Sequence, residues 1–548
     1  MQKLFFFVMV AGTMLASLGY ARAEDQAPAA LTGIVSSDAE GSMEGVLVRA
    51  KGSGSTITVT VVSDSQGQYS FPRGRLQPGK YRLGVRAVGY ELTDPVLVEV
   101  VANKTSKINL KLNKTPDLAS QLMSSEWMVS VPGTEEQKKQ LYQCVSCHSL
   151  TPILKSTHTA QEFMPLFVRM RNRLPSSFLL RYGNVPNMVT ENRPEDAKFA
   201  EYLASINLSS GKNGKWNYEL KTFPRPKGRA TRVIITEYDL PDPVVEPHDA
   251  LYDKNDGMVW YSEFARPYLG RLDPRTGEVK EWRLPTIRPG APEGTLKLVL
   301  DKEGNPWIGM LFQAGVAKFD KKTEKFTTWP IPRDNIGKVN ERTGEVLLSP
   351  DGTVWTKTGQ TNTAYQLDLN TNKWTAYPMA TPGYGWYGME ADSQGNVYVA
   401  SLGKGAVGEY NVKAGKREMV VYPTPTPNSG SRRGHMDSQD RYWFGEFNAG
   451  GVGVFDPKTK KILEYPVPTP WAGSYDASID KNGEAWSGGM HSDYVFRINP
   501  KTGQVTEYLL PTLDVNIRRT DVDNTQNPVH LWIGEVHQAK IAKLEPLD

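Results

Sequence analysis

An aromatic residue recurs at a nearly constant interval through the C-terminal part of the sequence. Successive copies are 43–48 residues apart, the length of a four-stranded propeller blade. They are Trp260, Trp307, Trp355, Tyr398, Trp443, Trp486 and Trp532. A turn built on Asp or Asn and a strand ending near Pro follow each copy except the last, and a matching strand precedes the first copy, at residues 236–241. The pattern predicts a seven-bladed β-propeller over residues 231–548, in which this N-terminal strand completes the last blade and hides both sheet edges.

The N-terminus has the pattern of a secretory signal. Lys3 precedes an uncharged apolar run over residues 4–18, and Ala21-Arg22-Ala23 places small residues where a signal peptidase cuts. The alternative is a membrane anchor, but the run is shorter than the about 20 residues of a bilayer span. We therefore predict that residues 1–23 are a signal peptide, that the mature protein has no membrane span, and that in a bacterium it is periplasmic.

Residues 31–112 alternate between β-rich runs and turns such as Asp64-Ser-Gln-Gly67, which predicts a small β-sandwich. The segment resembles the carboxypeptidase regulatory-like (transthyretin-like) family. The matching residues are Asp64, Gly67, Tyr69, Phe71, Pro78-Gly79-Lys80-Tyr81 and Gly89-Tyr90. The resemblance implies an accessory or adhesive module.

Residues 116–210 change to a helical pattern. Thr134 and Gln137 form a capping box, which predicts a helix leading into Cys144. Near the end, one helical face carries Phe199, Tyr202, Leu203 and Ile206. Residues 211–230, with glycines and prolines among basic residues, are a predicted linker. The predicted fold class is a multidomain, mainly β chain with an N-terminal β-sandwich, a small α-helical domain and a C-terminal seven-bladed propeller.

The chain has two cysteines, Cys144 and Cys147, in the sequence Cys-Val-Ser-Cys-His148. Two thiols on one helical turn can each form a thioether with a haem vinyl group, and the adjacent imidazole can then reach the iron; Cys-x-x-Cys-His is the motif of c-type haem attachment. A redox dithiol would need a thioredoxin-like βαβ pattern, and a zinc site would need further ligands, of which only His158 is near. We predict one covalent haem c held by Cys144, Cys147 and His148.

Two parts of the helical region, residues 143–148 and Ala200-Glu-Tyr-Leu-Ala-Ser205, are similar to the class I cytochrome c family. The resemblance implies a small α-helical haem domain. In that family a Met before the last helix is the sixth ligand of the iron, and Met188 stands at this place. The alternatives are Met164 and Met170, in a predicted helix where a Met is more often a core residue, and His158, which would give a lower reduction potential.

The propeller repeat is similar to the virginiamycin B lyase (streptogramin lyase) family. The similarity rests on strings such as Trp443-Phe-Gly-Glu446 and on Pro247-His248 ahead of Trp260-Tyr-Ser-Glu263. It implies ring opening by elimination, with a His base and a Mg²⁺ ion held by acidic residues. The matching positions are Glu246, His248 and Glu263, and Arg518 stands where the family has a second His.

Polar residues gather where the repeat places the innermost strands, at the central opening. They are His248, Arg432, Arg433, Tyr475, Arg518 and Arg519. Two interpretations are open. One is a site for an anion, a metal or a small organic molecule, with His248, Glu246, Arg432, Tyr475 and Arg518 as catalytic candidates. The other is a channel lined with solvated polar side chains.

These features lead to one main functional hypothesis and two alternatives. A net charge of +4 over 548 residues, without a basic block, gives no indication of a nucleic-acid partner. The main hypothesis is a periplasmic c-type cytochrome, an oxidoreductase that exchanges electrons with a periplasmic electron-transfer protein and with a small organic substrate at the propeller. The sequence has no glycine fingerprint for a flavin or nicotinamide cofactor. The alternatives are a magnesium-dependent carbon–oxygen lyase and a non-enzymatic binding or scaffold protein with a haem relay.

Overall fold

The computed structural model of the chain describes residues 28–172, 190–332, 343–359, 361–381 and 383–548. The predicted signal peptide and the predicted iron ligand Met188 lie outside these residues. The protein is mainly β, and helices make up 12% of it.

Two sheets in the N-terminal part pack around one core, so the predicted β-sandwich is confirmed. One sheet contains β1, β2, β5, β7, β9 and β10, and β3, β4, β6 and β8 belong to the other. Their cores meet through Leu31 and Phe71 on one side and Val48 on the other, all fully buried. The strands are β1 Ala29–Ser37, β2 Gly41–Ser42, β3 Leu47–Gly52, β4 Ile57–Val62, β5 Gln68–Pro72, β6 Gly79–Arg86, β7 Tyr90–Glu91, β8 Val96–Val100, β9 Ser106–Lys107 and β10 Leu110–Lys114.

The C-terminal part has propeller-like repeats, as the aromatic interval predicts. Six consecutive four-stranded antiparallel sheets are followed by a seventh group, in which β36, β37 and β38 are completed by β11 from the N-terminal end. The seven recurring aromatic residues lie on the second strand of each blade and are 0–3% exposed. Each ring fills the space between neighbouring blades, because a large apolar side chain must be buried against another layer.

The blade strands have the following bounds. They are β11 Val233–Asp239; β12 Pro247–Asp253, β13 Met258–Glu263, β14 Tyr268–Leu272, β15 Val279–Arg283; β16 Thr295–Leu300, β17 Pro306–Met310, β18 Gly315–Asp320, β19 Lys325–Pro330; β20 Leu347–Leu348, β21 Val354–Thr358, β22 Thr363–Asp368, β23 Lys373–Pro378; β24 Trp386–Ala391, β25 Val397–Ser401, β26 Ala406–Tyr410, β27 Met419–Pro423; β28 Ser431–Met436, β29 Tyr442–Glu446, β30 Gly451–Asp456, β31 Lys461–Pro466; β32 Ser478–Ile479, β33 Ala485–Gly488, β34 Tyr494–Ile498, β35 Val505–Leu509; β36 Ile517–Asp523, β37 His530–Glu535 and β38 Lys540–Pro546.

The sandwich and the last blade share one sheet. β11 pairs with β38 on one side and with β4 of the sandwich on the other, so that Ile234 lies between Glu545 and Val61. The resulting sheet has eight strands in the order β36-β37-β38-β11-β4-β3-β6-β8. The outer edge of the last blade is therefore covered rather than free. The sequence patterns predict the sandwich as a separate module and do not predict that it shares a sheet with the last blade.

A buried ion pair reinforces the joint between sandwich and propeller. Arg86 on β6 donates from Nη2 to Oδ2 of Asp493 at 2.6 Å. Its Nη1 donates to the carbonyl oxygens of Leu510 and Thr512, both at 2.7 Å. Both side chains of the pair are less than 9% exposed, so the joint does not depend on solvent-exposed contacts.

The segment between sandwich and propeller contains short helices. They are α1 Ser124–Ser130, α2 Glu135–Lys139, α3 Tyr142–Val145, α4 Thr151–Leu154, α5 Ala160–Arg171 and α6 Asp196–Ile206. The capping box of Thr134 and Gln137 is present, but α2 ends at Lys139, and Cys144 lies on the separate turn α3. None of the helices in the described residues has the length and apolarity of a membrane span.

The prediction of a small α-helical cytochrome c domain over residues 116–210 is wrong. Four of the described helices have four to seven residues, and three of them, α1, α3 and α4, bury apolar side chains against other parts of the chain. The ring of Trp127 lies 5.3 Å from that of Trp216, in the predicted linker, and Tyr142 lies 6.1 Å from Trp471 of the propeller. Because this core is shared with the linker and the propeller, the segment is not an independent helical domain.

Candidate functional site at the mouth of the propeller

Five innermost strands carry the same irregularity. In each, the register with the next strand shifts at a β-bulge near the beginning of the strand. The bulged pairs are His248-Asp249, Leu296-Lys297, Tyr387-Gly388, Arg432-Arg433 and Arg518-Arg519. A bulge places two residues opposite one and redirects their side chains, so consecutive residues instead of alternate ones can reach the central opening. We call the end of the opening lined by His248, Tyr387, Arg432, Tyr475 and Arg518 the mouth.

The second residues of three bulged pairs meet in a buried ion cluster below the mouth. Asp249 accepts from both Nη atoms of Arg433, at 2.8 and 3.1 Å, and from Nη1 of Arg519 at 2.9 Å. Burial by itself raises the pKa of Asp249, but the two guanidinium groups hold that pKa well below its usual range. Asp249 therefore stays ionised and fixes three blades to one another.

His248 is the residue of the mouth that contacts this cluster. Its Nδ1 is 2.6 Å from Oδ1 of Asp249, and its Nε2 is 3.1 Å from the hydroxyl of Tyr475. Burial lowers the pKa of His248 to about 3, although Asp249 acts in the opposite direction. The imidazole is therefore neutral at neutral pH. Because ionised Asp249 can only accept, Nδ1 carries the proton and Nε2 is an acceptor.

A pair of tyrosines continues the chain of polar contacts. The hydroxyls of Tyr475 and Tyr387 are 2.5 Å apart. Burial by itself raises the pKa of Tyr387. The positive charges of Arg432 and Arg433 and the hydrogen bond with Tyr475 have the larger, opposite effect, so the pKa of Tyr387 is below the usual tyrosine value. The hydroxyl of Tyr475 thus lies between Nε2 of His248 and the hydroxyl of Tyr387, and its single proton can be donated to either of them.

The Cys-x-x-Cys-His turn lies directly against the mouth. Nη2 of Arg518 donates to the carbonyl oxygen of Ser146 at 2.9 Å, and Nδ2 of Asn516 donates to that of Val145 at 3.2 Å. The ring of Tyr142, two residues before Cys144, is 4.2 Å from that of His491 and 5.3 Å from that of Phe447. The sequence places the two motifs in separate regions, and the structure brings them together.

The two cysteines of the turn are separate thiols. Cys144 and Cys147 are both half-buried and are not joined in a disulfide. Burial raises the pKa of the Cys144 thiol to about 12. The Nδ1 of His148 is 2.7 Å from the carbonyl oxygen of Ser149, so Nδ1 carries the proton and Nε2 has the lone pair.

The two acidic residues matched to the lyase family, Glu246 and Glu263, contact other protein groups beside the mouth. The backbone N–H of Glu246 donates to Oε1 of Glu263 at 3.1 Å. The carboxylate of Glu263 is fully buried, forms an ion pair with Arg266, and has a pKa raised to about 8, mainly by burial. The described residues contain no group of three or more His, Cys, Asp and Glu side chains arranged to hold a metal. Magnesium binding by Glu246 and Glu263 stays a prediction.

The remaining candidates for the sixth iron ligand are on or near α5. Met164 and Met170 are half-buried residues of that helix, as the sequence predicts. His158 is exposed just before the helix, and its ring lies 5.4 Å from that of Phe163. Met188 is outside the described residues, so its role stays a prediction.

Sequence reasoning missed Asp249, Tyr387 and Tyr142 as parts of the site. Asp249 and Tyr387 are each in a bulged pair, and a β-strand with strict alternation would direct one member of each pair away from the opening. The repeated doublets at the start of the innermost strands, such as Arg432-Arg433 and Arg518-Arg519, are the signal that could have indicated the bulges.

Comparisons with known proteins agree with the two β parts. Residues 30–113 match the model of the carboxypeptidase regulatory-like domain, which confirms that resemblance. No curated protein matches the chain. Among solved structures, a streptogramin B lyase has 20% sequence identity and a TM-score of 0.50, covering 58% of this chain and 99% of its own. Virginiamycin B lyase from Staphylococcus aureus has 17% identity and a TM-score of 0.49, covering 57% and 99%. The first likeness shows a shared propeller fold, joined here to an N-terminal carboxypeptidase regulatory-like domain.

Proposed function

We propose that Cys144 and Cys147 attach one haem c through thioethers, that His148 binds its iron, and that the protein is an electron-transfer protein of the periplasm with a small-molecule site at the propeller mouth. The observation that carries this proposal is the position of the Cys-x-x-Cys-His turn, held against the mouth by Arg518 and Asn516. A haem bound at this turn supplies a one-electron carrier. The proposal concerns the attachment site and does not need an independent cytochrome domain.

The side chains of the turn fit a haem better than they fit the alternatives. Metal-binding histidines commonly donate their second ring N–H to a carbonyl, as His148 does to Ser149. The raised pKa keeps the Cys144 thiol protonated, whereas a redox dithiol requires a thiolate with a lowered pKa. The described residues contain no group of three or more His, Cys, Asp and Glu side chains that could hold a zinc ion. Met188 remains the proposed sixth ligand.

The residues of the mouth can accept a proton released by a bound molecule. Oxidation of an alcohol or phenol releases protons together with electrons. The Nε2 atom of neutral His248 can accept a proton, and ionised Asp249 on the other side of the ring stabilises the imidazolium that forms. The hydroxyls of Tyr475 and Tyr387 extend this acceptor towards Arg432. We propose a small organic molecule as the occupant and a periplasmic electron-transfer protein as the electron partner.

The test is covalent haem attachment. The full chain is produced with haem-maturation machinery, and haem is measured after denaturation by haem staining and by the pyridine haemochrome spectrum. We expect one covalent haem per chain, a single-thioether spectrum for Cys147→Ala, and no covalent haem for the double variant Cys144→Ala/Cys147→Ala. A wild-type chain that matures in the periplasm without covalent haem would overturn the proposal.

A carbon–oxygen lyase is the second candidate, and the setting of His248 favours it. A neutral imidazole oriented by a buried carboxylate has an Nε2 atom that can accept a proton in an elimination, and the lowered pKa makes it a weak base. In this function Glu246 and Glu263 would hold Mg²⁺, and Glu263 would have to exchange its partner Arg266 for the metal. The test is incubation of the protein with Mg²⁺ and a streptogramin B antibiotic. Linear product that disappears in His248→Ala supports the lyase, and an intact antibiotic excludes it.

A further inference from the structure

Arg518 is exceptional among the buried arginines of the described residues. Six arginines are less than 9% exposed. Five of them form ion pairs with carboxylates: Arg86 with Asp493, Arg266 with Glu263, Arg433 and Arg519 with Asp249, and Arg497 with Glu484. Arg518 has no carboxylate partner in the described part of the chain; its Nε donates to the Asn516 side chain and its Nη2 to the Ser146 carbonyl. A buried guanidinium without an anion is costly, so this one is suited to receive an anion from outside the chain.

Arg432 is a second guanidinium of the same kind at the same mouth. It is half-buried, and within the described residues it forms no ion pair; its buried Nε has no hydrogen-bond partner there. Its Nη1 donates to the sulfur of Met490, at 3.5 Å. The carboxylate of the buried ion cluster, Asp249, is paired with Arg433 and Arg519. Within the described residues, neither guanidinium group at the mouth therefore forms an ion pair with a carboxylate.

Aromatic rings cover the faces of both guanidinium groups. The guanidinium carbon of Arg432 is 3.9 Å from the ring centre of Tyr475, 4.4 Å from that of Phe447 and 5.2 Å from that of Tyr387. That of Arg518 is 4.5 Å from the ring centre of Phe264. A stacked ring covers the face of a guanidinium, whose N–H groups point outwards in the plane of the group. Two parallel N–H groups can donate to the two oxygens of a carboxylate. The surrounding rings suit a flat, apolar body.

We propose that the mouth binds a small planar organic anion, with its carboxylate between Arg432 and Arg518 and its flat body against the aromatic side chains. This inference names the substrate class of the small-molecule site proposed above, and it rests on that proposal. Arg518 also holds the Cys-x-x-Cys-His turn, so an anion bound to it lies next to that turn.

The experiment compares benzoate with benzamide, which has the same ring without the charge. Both are titrated into the full chain, produced with haem maturation, by isothermal titration calorimetry. We expect benzoate to bind at least about tenfold more tightly than benzamide, because hydrogen bonds to charged groups are stronger than neutral ones. Arg432→Gln should weaken benzoate binding about tenfold or more and weaken benzamide binding less, because benzamide has no charge to pair with the guanidinium.

The matched control is Arg417→Gln. Arg417 is exposed and its guanidinium lies 5.7 Å from the ring centre of Tyr377, so it is a stacked arginine away from the mouth. Its replacement should leave benzoate binding unchanged. Arg518→Gln is the second test variant, with circular dichroism to show that it folds; if it does not fold, Arg432→Gln decides.

Three outcomes would overturn the inference: benzoate that binds no better than benzamide, benzoate binding unchanged in Arg432→Gln, or inorganic phosphate binding as tightly as benzoate. The last would mean that the mouth responds to charge without recognising a planar organic body. Haem attachment is measured on the same samples. A chain that binds benzoate without covalent haem contradicts the proposed function and not this inference. A chain that carries covalent haem but does not bind benzoate contradicts this inference and not the haem attachment.

Discussion

Arg518, on the innermost strand of the last blade, donates a hydrogen bond from Nη2 to the carbonyl oxygen of Ser146 at 2.9 Å. Ser146 lies between the two cysteines, so this contact joins the Cys-x-x-Cys-His turn to the propeller. A guanidinium donor makes it stronger than a neutral hydrogen bond. The propeller mouth and the turn are therefore one structural unit.

Arg518→Gln should loosen that unit. The amide of Cys144 donates to the carbonyl of Leu141, and the amides of Cys147 and His148 donate to that of Cys144. Loss of the external anchor should raise their hydrogen-exchange rates by about tenfold, since a hydrogen bond to a charged group contributes about 1.5–3 kcal/mol. Exchange measured by mass spectrometry checks this, with Arg417→Gln as the control. Unchanged exchange in the turn would show that Arg518 does not hold it.

Asp249→Asn should strongly destabilise the propeller. The change keeps the shape of the side chain but leaves the buried guanidinium groups of Arg433 and Arg519 without their counter-charge. Breaking such a buried pair costs about 3–5 kcal/mol. Urea unfolding measures the change in the free energy of unfolding. The control is Asp38→Asn, which removes the exposed ion pair with Lys111 and should have no measurable effect. Equal effects of the two changes would contradict the role of Asp249.

The sequence predicts the β parts well because they depend on local, repeated patterns. One buried aromatic residue per blade marks the period, and the strand before the first blade shows how the ring closes. The observed strand β11 does pair with β38. The residue types at the mouth are also visible, since His248, Arg432 and Arg518 occupy equivalent positions in their repeats.

Contacts between distant segments could not be predicted in this way. The helical segment has helix signals, such as the capping box at Thr134, but its core is completed by Trp216 and Trp471 from other parts of the chain. A resemblance over two short motifs therefore suggested an independent domain that is absent. The pairing of β4 with β11 depends on how whole domains meet, which no local pattern encodes.

Glu446→Gln should change how stability depends on pH. Glu446 is 2% exposed, and burial, followed by the neighbouring charge of Glu464, raises its pKa to about 8 from an ordinary value of 4.5. The folded state thus holds a proton that the unfolded state releases, and this contribution is present below pH 4.5 and is lost as the pH rises through 8.

The glutamine variant is neutral at every pH and does not lose that contribution. Between pH 5 and pH 8 its free energy of unfolding should therefore rise relative to the wild type by an amount on the order of 3 kcal/mol. Urea unfolding at the two pH values measures the difference, which isolates this group from others that titrate in the same range. Exposed Glu303→Gln should show no such change. A pH-independent difference for Glu446→Gln would exclude a raised pKa.

Tyr387 should ionise more readily than an ordinary tyrosine. Although burial raises its pKa, the nearby charges of Arg432 and Arg433 and the hydrogen bond with Tyr475 lower it more. A pH titration of phenolate absorbance should show a component below the usual tyrosine pKa of about 10. That component should disappear in Tyr387→Phe, and it should move to higher pH in Arg432→Gln, because a stabilising positive charge is lost. Tyr268→Phe is the control and should keep the component. If the component below pH 10 remains in Tyr387→Phe, it comes from the ionisation of another residue. Tyr387, at the end of the contacts from His248 through Tyr475, then does not have a lowered pKa.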